Sequence, residues 1–191
     1  SIIRTLDHSS FKNKCKIKIV WISAEKIEDR QNQKEQSKLN DCCGIIIPGG
    51  FGVRGIEGMI NVAKYCREHK IPILGICLGM HIMCIEAARN IYGNECNSTE
   101  FNKNTEHPII ISIEELRKDI MGGTMKLGLK KSVIHPHNNI VNNIYKDNII
   151  YERHRHRYEI NPKYIKPIEE NGLLFVGTSE NNLCMDIIVE P

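Results

Sequence analysis

The stretch IPILGICLGMHIMCIEAA, residues 71–88, decides the fold of this 191-residue chain. A short apolar run meets Cys77, and a turn of small residues then opens into a helical pattern. Strand, cysteine, Gly79 and helix in this order are typical of a nucleophile elbow, in which a tight turn lifts one side chain above the end of a buried strand. Gly75 and Gly79 flank the cysteine two positions on either side, as a strained turn requires. We therefore predict that Cys77 is the nucleophile.

A second strand and a helix precede this elbow. Residues 44–47 form a short apolar run that ends at Pro48-Gly49-Gly50, and the apolar spacing over residues 56–69 fits one face of a helix. Strand, helix and strand with short links predict a right-handed βαβ unit with its two strands side by side. Because α/β folds bind ligands at the carboxyl ends of their strands, the loop of residues 49–52 is expected beside Cys77.

The remaining chain is predicted from periodicity and turn signals. We expect a short amphipathic helix over residues 1–11, a strand over 16–22, and a solvated helix or loop over 25–40. The helix after Cys77 is expected to stop near Gly93. After it we predict a polar loop at 94–108, an extended segment at 109–113, a turn and strand at 121–129, a partly helical segment at 135–147, a strand entering a basic run at 149–158, and paired strands at 173–178 and 183–189.

Composition sets the broad class of the protein. The length fits one domain, and no apolar run approaches the roughly 20 residues that span a bilayer. The first residues resemble neither a signal peptide nor a transit peptide, so we predict a cytoplasmic protein without a membrane partner. A net charge of +3 is too small to indicate a nucleic-acid partner. The eight cysteines show no CxxC spacing and are predicted to be reduced.

Two neighbouring loops indicate acyl transfer by a thiol. A cysteine at the amino end of a helix is favoured as a thiolate by the helix dipole, although a cysteine chosen at random is more often a buried core residue. The loop Gly49-Gly50-Phe51-Gly52 is by itself compatible with a flexible turn. Beside Cys77, its bare backbone N–H groups are suited to stabilise an oxyanion.

Charged residues elsewhere have several readings. His154 and His156 would share one face of a strand, but two imidazoles without a third ligand make a poor zinc site, so no metal is predicted. The alternating arginines of residues 153–157 either form a solvated basic edge, or one of them provides a guanidinium that binds a carboxylate. Glu100 is either exposed or a partner for an ammonium group. A carboxylate and a guanidinium that face one ligand would select an α-amino acid.

Five motifs together resemble one family. IPGGFGVRGIEGMI, IPILGICLGM, NSTEF, MGGTMKLG and YERHRHRYEINP, between residues 44 and 162, are similar to the glutaminase domains of CTP synthases, which are class I glutamine amidotransferases. The first two motifs occur across class I amidotransferases, whereas NSTEF and ERHRHRYE in this order are more specific. The resemblance implies a three-layer, flavodoxin-like α/β domain with a central, mostly parallel sheet and a nucleophile elbow.

The resemblance also implies a function. Glutamine would be hydrolysed to glutamate and ammonia through a glutamyl thioester on Cys77, with Gly50 stabilising the oxyanion. The pocket would be lined by Phe51, Leu78, His81, Glu100 and Arg157, with Glu100 on the amino group and Arg157 on the carboxylate. No cofactor is implied in this domain. Ammonia would pass to a synthase domain of the same polypeptide, a ligase that converts UTP to CTP with ATP and Mg²⁺. GTP would act as an allosteric activator at the loop of residues 51–55. The full-length enzyme would assemble as a homotetramer.

Two departures from the family pattern accompany the resemblance. His81 stands where the family usually has glutamine. The family's general base and its orienting carboxylate lie in a QFHPEF-like motif beyond the segment that resembles residues 184–191, and residues 1–191 contain no such motif. We therefore expect a single amidotransferase domain, incomplete at both ends, without its synthase domain and inactive by itself. The alternatives are another class I enzyme such as GMP synthase, or a non-catalytic regulatory domain of the same fold.

Overall fold

The helices and strands alternate along most of the chain. The computed structural model describes residues 2–29, 32–116, 125–136 and 139–190. The helices are α1 (Ile2–Lys12), α2 (Ala24–Glu28), α3 (Gln33–Asn40), α4 (Ile56–His69), α5 (Leu78–Tyr92), α6 (Ile113–Leu116), α7 (Asn139–Tyr145) and α8 (Ile165–Glu170). The strands are β1 (Ile45–Ile47), β2 (Ile73–Gly75), β3 (Cys96–Ser98), β4 (His107–Ser112), β5 (Lys126–Ile134), β6 (Ile149–His156), β7 (Tyr158–Ile160), β8 (Leu174–Ser179) and β9 (Met185–Val189).

The strands of the described residues form three sheets. β1 and β2 pair in parallel, as the βαβ prediction requires. β3 pairs in parallel with β4, which pairs in antiparallel with β7. The third sheet has the order β6-β5-β8-β9, and its described pairs are antiparallel. The α/β class is confirmed, but the sheets are mixed rather than mostly parallel, because the later strands are not joined by long crossover helices.

Two predictions for individual segments were wrong. Residues 16–22 form neither helix nor strand, and Trp21 is 73% exposed. Their β-branched composition favours a strand, but a strand needs a neighbour, and none pairs with them in the described chain. The predicted loop 94–108 contains β3 and the first residues of β4. The predicted strand that begins at residue 149 is confirmed, and it continues through the basic run as far as His156. In contrast, α1, α4, α5 and the β8–β9 pair are confirmed.

Helix α5 lies at the centre of the main hydrophobic core. Ile82, Cys84, Ile85 and Ala88 of this helix are all 0% exposed. They pack with residues of α4, β1, β4, β7, α8 and β8. A helix that is apolar over most of its circumference must be enclosed in this way. Its amino end therefore has a fixed position, and Cys77 is the residue at that end.

No helix in the described residues has both the length and the apolar character needed to cross a membrane. Two predicted segments fall partly outside the description: residues 121–124 of the turn before β5, and residues 137–138 of the segment before α7.

Candidate functional site

The backbone at Cys77 has the strained geometry of a nucleophile elbow. Its φ is 56° and its ψ is −106°, a conformation that residues with a side chain rarely adopt. The turn closes because Gly75 and Gly79 lack side chains. A Cβ on Gly79 would lie 2.3 Å from the carbonyl oxygen of Ile47, and one on Gly75 would lie 2.5 Å from the carbonyl carbon of Gly79. The predicted elbow is confirmed, and Cys77 stands between β2 and α5.

The glycine loop after β1 lies against this cysteine, as predicted. A Cβ built on Gly49 would be 3.3 Å from Cys77 Cβ and 3.9 Å from its Sγ. A Cβ on Gly50 would be 3.2 Å from Cδ2 of Leu78, which is itself buried. The loop therefore approaches the sulfur closely through backbone atoms. The assignment of the Gly50 N–H to an oxyanion stays a prediction.

The thiol of Cys77 is harder to ionise than an exposed cysteine. It is half-buried and donates to the carbonyl oxygen of Arg155 at 3.8 Å. Burial raises the pKa of Cys77, the backbone N–H of Leu78 lowers it, and the charges of Glu100 and Glu159 raise it further. The balance is a raised pKa, opposite in direction to the effect expected from the helix end alone. The site therefore needs a base to generate the thiolate.

Glu100 faces the site from the turn after β3. Its charge acts on Cys77, and its Oε1 accepts the backbone N–H of Gly52 at 3.2 Å. The Glu100 N–H donates to the buried hydroxyl of Ser98 at 3.1 Å, which orients the turn. Glu100 is therefore partly buried against the glycine loop rather than exposed, and its role as a partner for an ammonium group stays a prediction.

Arg157 lies at the other side of the same region. It is an exposed residue at the bend between β6 and β7, next to Tyr158. Burial and the charge of Glu100 raise the pKa of Tyr158, while the charge of Arg157 lowers it, so both charged groups lie near this phenol. The guanidinium of Arg155 lies 6.0 Å from the ring centre of Phe51, and Phe51 is exposed. The end of β6 therefore brings Arg155 near Phe51, and the bend after it brings Arg157 near Tyr158.

A group of buried polar side chains lies beneath the elbow. His81, in the first turn of α5, is 6% exposed, and burial lowers its pKa to about 4. His154 and His156 share the inner face of β6, with ring centres 5.3 Å apart, as predicted. Burial, followed by the charge of His81, lowers the pKa of His156 to about 3. No group of three or more His, Cys, Asp or Glu side chains within the described residues is arranged to hold a metal ion.

Sequence reasoning missed four participants in the site. Ser98 and Tyr158 lie within motifs that were quoted without a role for either residue, and both are near Glu100. The carbonyl of Arg155 and the carboxyl group of Glu159 also reach Cys77 by contact or by charge. A backbone acceptor has no sequence signal. The other three could only be found by knowing that β3, β7 and the elbow meet.

A separate cavity of about 110 Å³ lies near the opposite end of α5. Its polar wall includes Arg67 and Glu86, whose side chains form an ion pair at 2.8 Å, together with Asn90. None of the predicted site residues lines it. The nucleophile is instead half-buried beside the glycine loop.

The chain resembles known proteins over nearly its whole length. The family model for class-I glutamine amidotransferases matches residues 1–191. The CTP synthase of Neurospora crassa is 40% identical over 98% of this chain and 34% of its own length. The CTP synthase of Methanococcus maripaludis is 43% identical over 98% of this chain and 36% of its own length. The chain thus spans about a third of these relatives.

A solved structure has the same fold. The glutaminase domain of Trypanosoma brucei CTPS with bound acivicin superimposes with a TM-score of 0.90 at 32% sequence identity. The match covers 100% of this chain and 74% of that one. The three-dimensional arrangement and the sequence motifs therefore indicate the same family.

Proposed function

Because the chain belongs to the class-I glutamine amidotransferase family, we propose that it is the glutaminase domain of a CTP synthase. It hydrolyses glutamine to glutamate and ammonia, and the ammonia converts UTP to CTP in a synthase domain of the same polypeptide. The observation that carries the proposal is the strained elbow, which holds Cys77 against the Gly49-Gly50 loop and within electrostatic reach of Glu100. Hydrolysis through a cysteine requires these parts together.

The first half of the reaction forms a thioester. The Cys77 thiolate attacks the side-chain amide carbon of glutamine, forming a C–S bond while the carbonyl electron pair moves to oxygen. The N–H of Gly50 stabilises this oxyanion. The electron pair then returns, the C–N bond breaks, and the nitrogen takes up a proton and leaves as ammonia. Water attacks the glutamyl thioester in the second half and releases glutamate and the thiol.

Each half needs a group that moves protons. Burial raises the pKa of Cys77, so little thiolate is present at neutral pH without a base. In the family the base and its orienting carboxylate belong to a QFHPEF-like motif, which residues 1–191 do not contain. We propose that the intact enzyme uses that base, and that residues 1–191 alone turn over glutamine poorly.

Two charged residues recognise the α-amino acid end of glutamine. Glu100 binds the ammonium group, and Arg157 binds the carboxylate through its planar fork. Both charges act on the phenol of Tyr158, so the two residues have a common neighbour. Phe51 and Leu78 line the pocket, and His81 contributes its small exposed part.

The partners of the domain follow from the family. The synthase domain binds ATP and Mg²⁺, GTP activates from the loop of residues 51–55, and the full-length enzyme is a cytoplasmic homotetramer. The domain itself holds no cofactor. Exposed Phe51 next to the Arg155 guanidinium supports a regulatory role for that loop.

A second candidate is a non-catalytic regulatory domain of the same fold. The raised pKa of Cys77 and the histidine at position 81 favour it. A GMP synthase is distinguished by its acceptor, since it would require XMP in place of UTP.

The test is glutamine-dependent product formation by the full-length protein. We expect ammonia release from glutamine, and CTP from UTP and ATP, with both lost in Cys77→Ser because a hydroxyl is a poor nucleophile at this site. CTP formation from added ammonia should survive in that variant. An intact protein that releases no ammonia supports the regulatory candidate, and product formation from XMP supports GMP synthase.

A further inference from the structure

Arg157 marks the point where the chain passes from one sheet to another. β6 ends at His156 and pairs with β5. β7 begins at Tyr158 and pairs with β4. Arg157 lies at the bend between the two strands. The direction of its side chain therefore depends on how this bend is held.

The backbone of the bend is anchored on both sides. The carbonyl of Arg155 accepts the thiol of Cys77 at 3.8 Å. The carbonyl of Arg157 accepts the backbone N–H of Ile113 at 2.9 Å. These contacts attach the bend to the nucleophile and to the end of β4. Other groups determine how sharply the bend curves.

A partly buried histidine and a buried carboxyl group meet across the bend. His156 is the last residue of β6 and Glu159 the second residue of β7, and Nε2 of His156 lies 3.3 Å from Oε1 of Glu159. Glu159 is only 1% exposed. It also accepts a hydrogen bond from the thiol of Cys184. A buried carboxyl group is stabilised by polar groups close to it, so this approach of the two side chains, which lacks hydrogen-bond geometry, favours one curvature of the bend.

We propose that His156 and Glu159 are positioning residues that aim Arg157 at the carboxylate of glutamine. The inference rests on the proposed function, in which Arg157 holds that carboxylate. A bidentate guanidinium contact depends on placement, so a displaced Arg157 would bind the carboxylate less tightly. Neither side chain needs to touch the substrate.

The plain alternative is that the pair only stabilises the fold. The ion pair between Arg67 and Glu86 provides a matched control, because Glu86 is also buried, at 6% exposure, and lies near the other end of α5. Loss of either carboxylate should reduce stability. Only the loss of Glu159 should also change recognition of glutamine.

The experiment compares four single variants of the full-length enzyme. KM and kcat for glutamine-dependent ammonia release are measured for Glu159→Ala, Glu159→Gln, His156→Gln and Glu86→Ala, with thermal melting to identify folded protein. We expect Glu159→Ala to raise KM about tenfold, with a smaller change in kcat because the charge near Cys77 is also removed. Glu159→Gln and His156→Gln keep a polar atom at the same reach and should recover most of the affinity. Glu86→Ala should melt earlier with an unchanged KM.

A double variant shows whether the effect passes through Arg157. In an Arg157→Ala background, adding Glu159→Ala should raise KM no further, because there is no guanidinium left to position. Additive effects, or an unchanged KM in folded Glu159→Ala, would overturn the inference while leaving the proposed function intact. If Glu159→Ala does not fold, His156→Ala takes its place, and an unchanged KM in folded His156→Ala, or effects of His156→Ala and Arg157→Ala that simply add, overturn the inference. A wild-type enzyme that releases no ammonia removes both proposals.

Discussion

Cys77 combines a strained backbone with a thiol that burial makes harder to ionise. Its position in the elbow was predictable, because glycines at positions 75 and 79 are a local signal. The direction in which its pKa is shifted was not predictable from the sequence. The charges of Glu100 and Glu159 that raise it come from segments distant in the chain, and the helix end alone suggested the opposite.

This balance predicts how alkylation of Cys77 depends on pH. The thiolate is the reacting form, so a raised pKa places the rise in reaction rate at higher pH than for a small free thiol, whose pKa is about 8.5. The rate at which iodoacetamide modifies Cys77 is measured at a series of pH values, by mass spectrometry of the 191-residue chain. It is compared with the rate at which iodoacetamide modifies free cysteine. A midpoint below that of free cysteine would show that the helix end outweighs burial.

His81 should make the fold sensitive to acid. Its pKa is lowered to about 4 in the folded chain, against about 6.5 unfolded. The unfolded state takes up a proton first, so stability is full above about pH 6.5 and is lost as the pH falls toward 4. Between pH 7 and 5 the loss attributable to His81 is about 2 kcal/mol.

The variant that isolates this effect is His81→Gln, which removes the titrating group. Urea unfolding at pH 7 and pH 5 should show a smaller loss of stability in the variant than in the wild type. An equal loss in both proteins would mean that His81 is not a source of acid sensitivity. The same pair of urea measurements on His156→Gln tests the other histidine with a lowered pKa.

Among the helices and strands, hydrophobic periodicity was enough to predict each segment whose own sequence has a regular apolar pattern. It predicted α4 over residues 56–69 and the antiparallel β8–β9 pair. It was wrong for residues 16–22, since strand formation depends on a neighbour as well as on β-branched residues. The short strand β3 was missed because three polar-flanked residues give no pattern of their own.

The elbow itself gives a prediction about stability. Gly79→Ala should destabilise the fold by about 3 kcal/mol, because the added Cβ would lie 2.3 Å from the Ile47 carbonyl oxygen. Gly44→Ala is the control: its Cβ would meet Pro72 no closer than 3.5 Å, so we expect a change of at most about 0.5 kcal/mol. The free energies of unfolding are measured in urea. Similar values for both variants would contradict the close packing of α5 on β1.

For the whole molecule, the site is assembled from segments that lie far apart in the sequence. Gly50, Cys77, Glu100 and Arg157 follow β1, β2, β3 and β6 in turn. The motifs indicated these residues one by one, but only the fold brings their loops to one region. The buried contact between His156 and Glu159 depends on a change of sheet that no local pattern predicts.

The central claim is that Cys77 is the nucleophile for glutamine, and covalent labelling tests it most directly. The full-length enzyme is treated with acivicin, the compound bound in the related glutaminase domain, and the modified residue is located by mass spectrometry. We predict one adduct, on Cys77, that glutamine slows and that Glu100→Gln reduces, while the other seven cysteines stay unmodified. Labelling at another cysteine, or labelling of Cys77 that glutamine does not slow, would contradict the account.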